Sequence, residues 1–106
     1  MNNHIQKRLK DWRYGAVVYQ VMVDRFAPSD DINAKKHLYA FPRTLVSWDT
    51  LPKAKPFSKK KKYHEHELEF WGGDLKSLQK HLDYISSLQV DVLYLNPIPE
   101  AVSNHK

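Results

Sequence analysis

Histidines and glutamates alternate in one short segment that could bind a metal ion. His64 and His66 flank Glu65, and in an extended chain both imidazoles would lie on the same side. A protein zinc site needs three or four ligands, and no third ligand stands beside this pair. Glu65, Glu67 and Glu69 alternate likewise, and this pattern favours the solvated face of a short strand over a metal site.

Asp24 and Arg25 directly follow the first strongly apolar segment of the chain. Parallel α/β folds place their functional groups at the carboxyl ends of strands, so a catalytic role is one alternative for this pair. The other alternative is an ion pair that braces the loops around it. Between the two, the sequence favours the structural role.

Gly72-Gly73-Asp74 has the composition of a tight turn before a helix. It lacks the G-x-G-x-x-G spacing and the lysine-hydroxyl pair of phosphate-binding loops, which argues against nucleotide binding. Asp74 is placed to cap the helix that follows. None of the serines lies in a G-x-S-x-G context, and the chain has no cysteine, so no nucleophilic triad is assembled.

A basic segment, Lys59 to Lys62, lies near Lys53 and Lys55 and between Phe57 and Tyr63. Lysines interleaved with aromatic rings are used to bind single-stranded nucleic acid, so a non-enzymatic basic binding module is the alternative hypothesis for function. A charge run in a loop is more often a solvated tip. We therefore predict no nucleic-acid partner.

Two apolar segments have the composition of buried strands. Ala16 to Val23 and Val90 to Leu95 are rich in β-branched and aromatic residues and too short for typical helices, which predicts strands buried on both faces. Between them, an apolar stripe predicts one helix after Asp74. Strand, helix and strand form a βαβ unit with parallel strands. The stripe consists of Leu75, Leu78, Leu82, Ile85 and Leu88.

The rest of the chain is less regular. Ile5, Leu9 and Trp12 predict a short amphipathic helix packed against an apolar surface. Ala27 to Glu69 shows no sustained periodicity, although Tyr63 to Phe70 could hold a short extended piece.

The composition is that of a globular chain. Its 106 residues include 42% hydrophobic and 27% charged residues, which is too apolar for a disordered chain. No apolar run approaches the ~18 residues of a membrane span, and the first residues lack the apolar core of a signal peptide. We expect a cytoplasmic protein without a membrane partner.

Three segments, in this order, resemble the α-amylase family, glycoside hydrolase family 13. Val18 to Phe26 (VYQVMVDRF) is similar to its first barrel strand, and Phe70 to Leu75 (FWGGDL) is similar to the entry of its first helix. Leu93 to Ile98 (LYLNPI), with Ser103 to Lys106 (SNHK), is similar to its second strand and the following loop. The likeness is strongest to members related to neopullulanase and cyclomaltodextrinase.

The resemblance implies a (β/α)8 barrel that cleaves or transfers α-glucosidic bonds with retention. Its catalytic acids follow the fourth, fifth and seventh strands, so we predict that this chain carries none of them and is inactive alone. We predict that residues 1–15 are an N-terminal extension and that residues 16–106 are the first strand, long loop, first helix and second strand of an incomplete barrel. Unpaired strand edges predict self-association. An inactive truncated remnant is a further alternative.

The resemblance also assigns two kinds of site. The loop after the second strand implies contact with an α-glucan or maltooligosaccharide through Asn104 and His105. The loop after the first strand and the Gly-Gly-Asp turn imply a calcium site, since calcium requires oxygen ligands. Pro28 and Ala34 depart from the family's pattern at this second site. The residues matching the calcium ligands are Asp30, Asn33, Asp74 and the Gly72 carbonyl.

Overall fold

The computed structural model describes residues 3–105, in which short helices and strands are joined by long loops. The helices are α1 (Asn3–Lys10), α2 (Ile32–Lys35), α3 (Leu75–Gln79) and α4 (Leu82–Ser87). The strands are β1 (Val18–Val21), β2 (Thr44–Leu45), β3 (Phe57–Ser58), β4 (Tyr63–His64), β5 (Glu69–Phe70) and β6 (Val92–Leu95). Single 3-10 turns cover Val23–Arg25, Lys36–Tyr39 and Glu65–Leu68.

Strands β1 and β6 are the parallel pair that the sequence predicts. Val18 lies opposite Val92, and Val21 lies opposite Leu95. The predicted first strand is longer than the observed one, because Val23 already belongs to a 3-10 turn. The connection between the two strands carries α3 and α4, so the order strand, helix, strand is confirmed.

The core lies on one face of this strand pair. Val21 packs with Leu78 and Ile85 from the helices, and Tyr19 and Leu93 border the cluster. The opposite face is not covered, since Val18 and Tyr94 are each more than half exposed. The prediction that both faces are buried is therefore wrong for the described residues, because one face has no packed layer against it.

The predicted single helix after Asp74 is divided into α3 and α4. The His81 amide donates to the Leu78 carbonyl three residues back, at 2.9 Å, which tightens the chain at that turn. Leu78 and Ile85 remain buried, whereas Leu75, Leu82 and Leu88 are 44–47% exposed. The strand pair therefore covers only part of the apolar stripe, at Leu78 and Ile85.

The segment between residues 27 and 69 is more ordered than its sequence indicates. Strand β2 pairs in parallel with β5, and β3 pairs antiparallel with β4, so that the basic run Lys59 to Lys62 forms a hairpin turn. The expected extended piece from Tyr63 to Phe70 is interrupted by a 3-10 turn. Glu69 is buried and bound by Lys55 at 2.8 Å, so it does not share a solvated face with the other glutamates.

Helix α1 forms as predicted but does not bury its apolar residues. Ile5, Leu9 and Trp12 are between 53% and 75% exposed. The helix is held instead through Arg8, whose guanidinium donates to the Gly15 carbonyl at 2.5 Å and to the Asp91 carboxylate at 2.6 Å. Across residues 3–105, the helices are all too short or too polar to cross a bilayer.

Candidate functional site

A cleft of about 270 Å³ opens at the carboxyl ends of β1 and β6. Parallel strands bring the residues that follow them to a common edge, where ligands bind in α/β folds. Backbone pairing continues past the strands here, because the Asn96 amide donates to the Val21 carbonyl at 2.9 Å. The Gln20 side-chain amide also donates to the Asn96 side-chain oxygen at 2.5 Å. The cleft is lined by Met22, Val23, Asp24, Phe70, Asn96, Pro97, Ile98, Asn104 and His105.

Asp24 fastens the loop before α3 to the end of β1. Its carboxylate accepts from the Trp71 amide at 3.0 Å and from the Gly72 amide at 2.9 Å. Its own carbonyl accepts from the Gly73 amide at 2.9 Å. The structural role is therefore the one observed, but the partners are backbone amides and not Arg25.

Arg25 forms no ion pair with Asp24 within residues 3–105 and covers an aromatic ring instead. Its guanidinium lies 4.2 Å from the centroid of Trp71, a cation–π distance. The Trp71 indole N–H donates to the Thr50 carbonyl at 2.8 Å, which joins the same ring to the long loop. Trp71, which follows the cleft residue Phe70, is thus held by contacts from two separate segments.

The two glycines of the turn are required for different reasons. Gly72 has a φ of +86°, which lies in the left-handed region that L side chains rarely adopt. Gly73 has no such angle, but a Cβ atom there would lie 2.3 Å from the Val23 carbonyl and 2.8 Å from the Ala27 carbonyl. The close approach of these backbones is what brings Asp74 beside the end of β1.

Asn104 and His105 both lie at the cleft, as their predicted role requires. The Asn104 side-chain amide donates to the His66 carbonyl at 2.8 Å and to the Glu69 carbonyl at 3.0 Å. Its backbone amide donates to the Glu67 carbonyl at 2.7 Å. Asn104 thus fastens the loop after β6 to residues 66–69, while His105 is exposed beside it. Contact of either residue with a sugar stays a prediction.

Asp74 caps α3 and also binds a lysine that sequence reasoning missed. Its Oδ1 accepts from the Ser77 amide at 2.8 Å, while its Oδ2 is bound by Lys35 Nζ and lies 2.9 Å from the Ser29 hydroxyl. Burial opposes ionisation of Asp74, but the hydrogen bonds from Lys35, Ser77 and Ser29 outweigh it and hold the pKa well below its usual range. The spacing of Asp31 and Lys35, one helical turn apart, is the only sequence signal that pointed to this cluster.

The predicted calcium ligands do not converge on one shared site. Asp30 is 65% exposed at its side chain and pairs with Lys80, Asn33 is exposed, and an ammonium group is already bound to Asp74. Among residues 3–105 no group of three or more histidine, cysteine, aspartate or glutamate side chains could hold a metal ion. Calcium takes six to eight oxygen ligands, so the donors present do not fit it.

The histidines considered as candidate metal ligands likewise make contacts within the protein. The Nδ1 atoms of His64 and His66 lie 3.3 and 3.2 Å from the Lys55 carbonyl, and His64 also packs edge-on against Phe57. Glu67 accepts from the His64 amide at 3.1 Å. The pair thus belongs to a structural turn.

Parallel strands with a helical crossover, and a cleft at their carboxyl ends, define the class as a βαβ unit of an α/β enzyme fold. The alpha amylase catalytic domain matches residues 20–106. This chain belongs to the α-amylase catalytic-domain family, whose members are glycoside hydrolases of α-glucans.

Several characterised enzymes are similar to this chain. Amylopullulanase from Thermoanaerobacter thermohydrosulfuricus is 37% identical over an alignment 105 residues long, which covers 91% of this chain and 7% of that enzyme. Cyclomaltodextrinase from a Bacillus species is 31% identical over 98 residues, covering 90% of this chain and 14% of that enzyme. The chain therefore spans a small part of the relatives that it matches.

A solved structure is also similar to most of this chain over a small part of its own length. The ligand-free cyclic alpha-maltosyl-(1→6)-maltose hydrolase from Arthrobacter globiformis superposes with a TM-score of 0.60 at 36% identity, covering 90% of this chain and 17% of that enzyme. The same enzyme has been solved in complex with maltose. The structural neighbours are TIM-barrel enzymes of glycoside hydrolase family 13, so the mixed helices and strands of this chain are consistent with part of such a domain.

Proposed function

We propose that this chain forms the first strand, first helix and second strand of an α-glucan glycoside hydrolase barrel, residues 16–106, preceded by an extension of residues 1–15. The observation that carries the proposal is the cleft at the carboxyl ends of β1 and β6, where the family's fold places substrate. The chain supplies one wall of the sugar site and none of the catalytic acids. It therefore requires the remaining strands for turnover.

Within that wall, His105 is the residue available to a sugar. It is exposed at the cleft, whereas the side-chain amide of Asn104 already donates to two backbone carbonyls. We propose that His105 donates to a hydroxyl of a maltooligosaccharide, and that Asn104 holds the loop that presents it. Neutral hydroxyls need donors and acceptors rather than charge, so the net charge of +5 has no part in this recognition.

A chimera tests the proposal directly. Residues 16–105 would replace the matched segment of the Arthrobacter globiformis hydrolase, with which the chain shares 36% identity. We expect a folded chimera that hydrolyses cyclic maltosyl-maltose, whereas the 106-residue chain alone gives no turnover. A folded chimera with no hydrolysis, or clear hydrolysis by the isolated chain, would contradict the proposal.

A substitution in the chimera separates the roles of the two loop residues. His105→Ala should lower kcat/KM on the order of tenfold to a hundredfold and leave thermal stability unchanged, because an exposed side chain makes little contribution to packing. His37→Ala, at another exposed histidine that does not line the cleft, is the matched control and should leave both unchanged. Equal activity of the His105 and His37 variants would remove His105 from the proposed site.

The isolated chain should also self-associate. Val18 and Tyr94 leave one face of the strand pair open, and β1 and β6 each have one strand neighbour among residues 3–105. Open strand edges and exposed apolar faces favour association. Sedimentation velocity should show a weight-average mass that rises with concentration, and a single monomer boundary at every concentration would contradict this.

A further inference from the structure

Lys35, at the end of α2, binds one of the residues that the resemblance implies as calcium ligands. Its ammonium group is bound to Asp74 Oδ2 and lies 3.3 Å from Asp31 Oδ1. The Ser29 hydroxyl lies 2.7 Å from the Asp31 carboxylate and 2.9 Å from that of Asp74. One cation therefore connects the loop after β1 to the N-cap of α3, which is the connection that a bridging metal ion would make.

The electrostatics of this cluster argue against a second cation beside Lys35. An ammonium group has three donors and no acceptor, so it cannot coordinate a metal ion and repels one at contact distance. The Lys35 side chain is 30% exposed and that of Asp74 20%, so solvent only partly screens this repulsion. Asp30 is moreover paired with Lys80.

We propose that Lys35 is a built-in counter-ion that replaces the divalent cation of the family, and that the order of this loop does not depend on calcium. The chain's own residues supply both the charge and the hydrogen bonds. Pro28 and Ala34, which stand where the family has oxygen ligands, are consistent with this exchange, because a lysine needs fewer acceptors than calcium does.

The first test is calcium binding by the wild-type chain after removal of metal ions with EDTA. Isothermal titration with CaCl₂ should give no saturable binding, and hydrogen exchange of residues 27–39 and of the Ser77 amide should be the same with calcium or with EDTA. Saturable binding with a Kd of about 1 mM or tighter, a range in which calcium modules operate, would overturn the proposal.

The second test removes the ammonium group and keeps most of the side-chain stem. Lys35→Met should accelerate hydrogen exchange of residues 27–39 on the order of tenfold, the size expected for the loss of one charge-assisted hydrogen bond. Lys36→Met changes the adjacent, exposed lysine and should leave exchange unchanged. Wild-type exchange rates in the Lys35→Met variant would show that this ammonium does not order the loop, and would refute the proposal.

Discussion

Asp24 offers the most informative perturbation, because one carboxylate holds two backbone amides of the turn before α3. Asp24→Asn keeps the shape of the side chain but replaces one acceptor oxygen with an NH₂ group. The Gly72 amide then keeps a neutral acceptor, while the Trp71 amide, which donates to both carboxylate oxygens at 3.0 and 3.2 Å, loses the shorter of its two contacts. The effect should therefore be local to the turn.

The magnitude follows from the two hydrogen bonds. A hydrogen bond to a charged group contributes about 1.5–3 kcal/mol, and a neutral one about 1 kcal/mol. Losing one charged bond and weakening the other comes to about 3 kcal/mol, which we reduce to about 2 kcal/mol because Asp24 is only partly buried. At about 1.4 kcal/mol per factor of ten, this corresponds to roughly 30-fold faster local opening.

Amide hydrogen exchange measured by NMR reports this opening residue by residue. The amides of Trp71, Gly72 and Gly73 should exchange roughly 30-fold faster in Asp24→Asn, while those of β6 change little. Asp83→Asn makes the same chemical change on an exposed position of α4 and should have no effect. Exchange within threefold of wild type at all three amides would refute the argument that the carboxylate holds the turn.

Two further predictions concern the turn glycine and the base of the strand pair. Gly73→Ala should abolish the exchange protection of residues 71–77, at a cost of at least about 3 kcal/mol, because its Cβ would meet backbone carbonyls that cannot move aside. Gly15→Ala, where the nearest atom is 3.6 Å away, should cost only about 1 kcal/mol of backbone strain; equal effects of the two would contradict the steric reasoning. The hydrogen bonds from the Val17 amide and the Arg8 guanidinium lower the pKa of Asp91 in the folded chain. The contribution of Asp91 to stability is therefore complete above its unfolded-state pKa of about 3.9 and is lost as the pH falls through its lower folded-state pKa. The Arg8 Nε chemical shift should therefore change below pH ~4 in the wild type and be altered at every pH in Asp91→Asn, and a transition centred above pH ~4 would contradict this.

The elements with strong local signals were predictable from the sequence. The apolar segments around Val21 and Leu93 gave a parallel strand pair, and the position of Asp74 before an apolar stripe gave the start of α3, where it accepts from Ser77 as a cap. These features depend on residues close in sequence, or on a simple pattern of burial. The family resemblance rested on the same segments.

Features that depend on distant residues were not predictable. The ion pair of buried Glu69 with Lys55 joins β5 to a loop 14 residues earlier, and the binding of Asp74 by Lys35 requires two segments 39 residues apart to meet. The open face at Val18 and Tyr94 also escaped prediction, because an apolar strand does not reveal whether a second layer lies against it.

The pairing of β1 with β6 also determines how freely the segment between them can change in length. Val17 and Asp91, which meet at the base of the pair, are 74 residues apart. The entropy of closing a loop grows only with the logarithm of its length, so deleting about nine residues around the β3–β4 hairpin would change the closure free energy by only about 0.1 kcal/mol. Insertions and deletions in the lysine-rich hairpin are therefore nearly neutral for the pairing of β1 with β6. The hairpin is free to diverge in evolution while β1 and β6 stay in register.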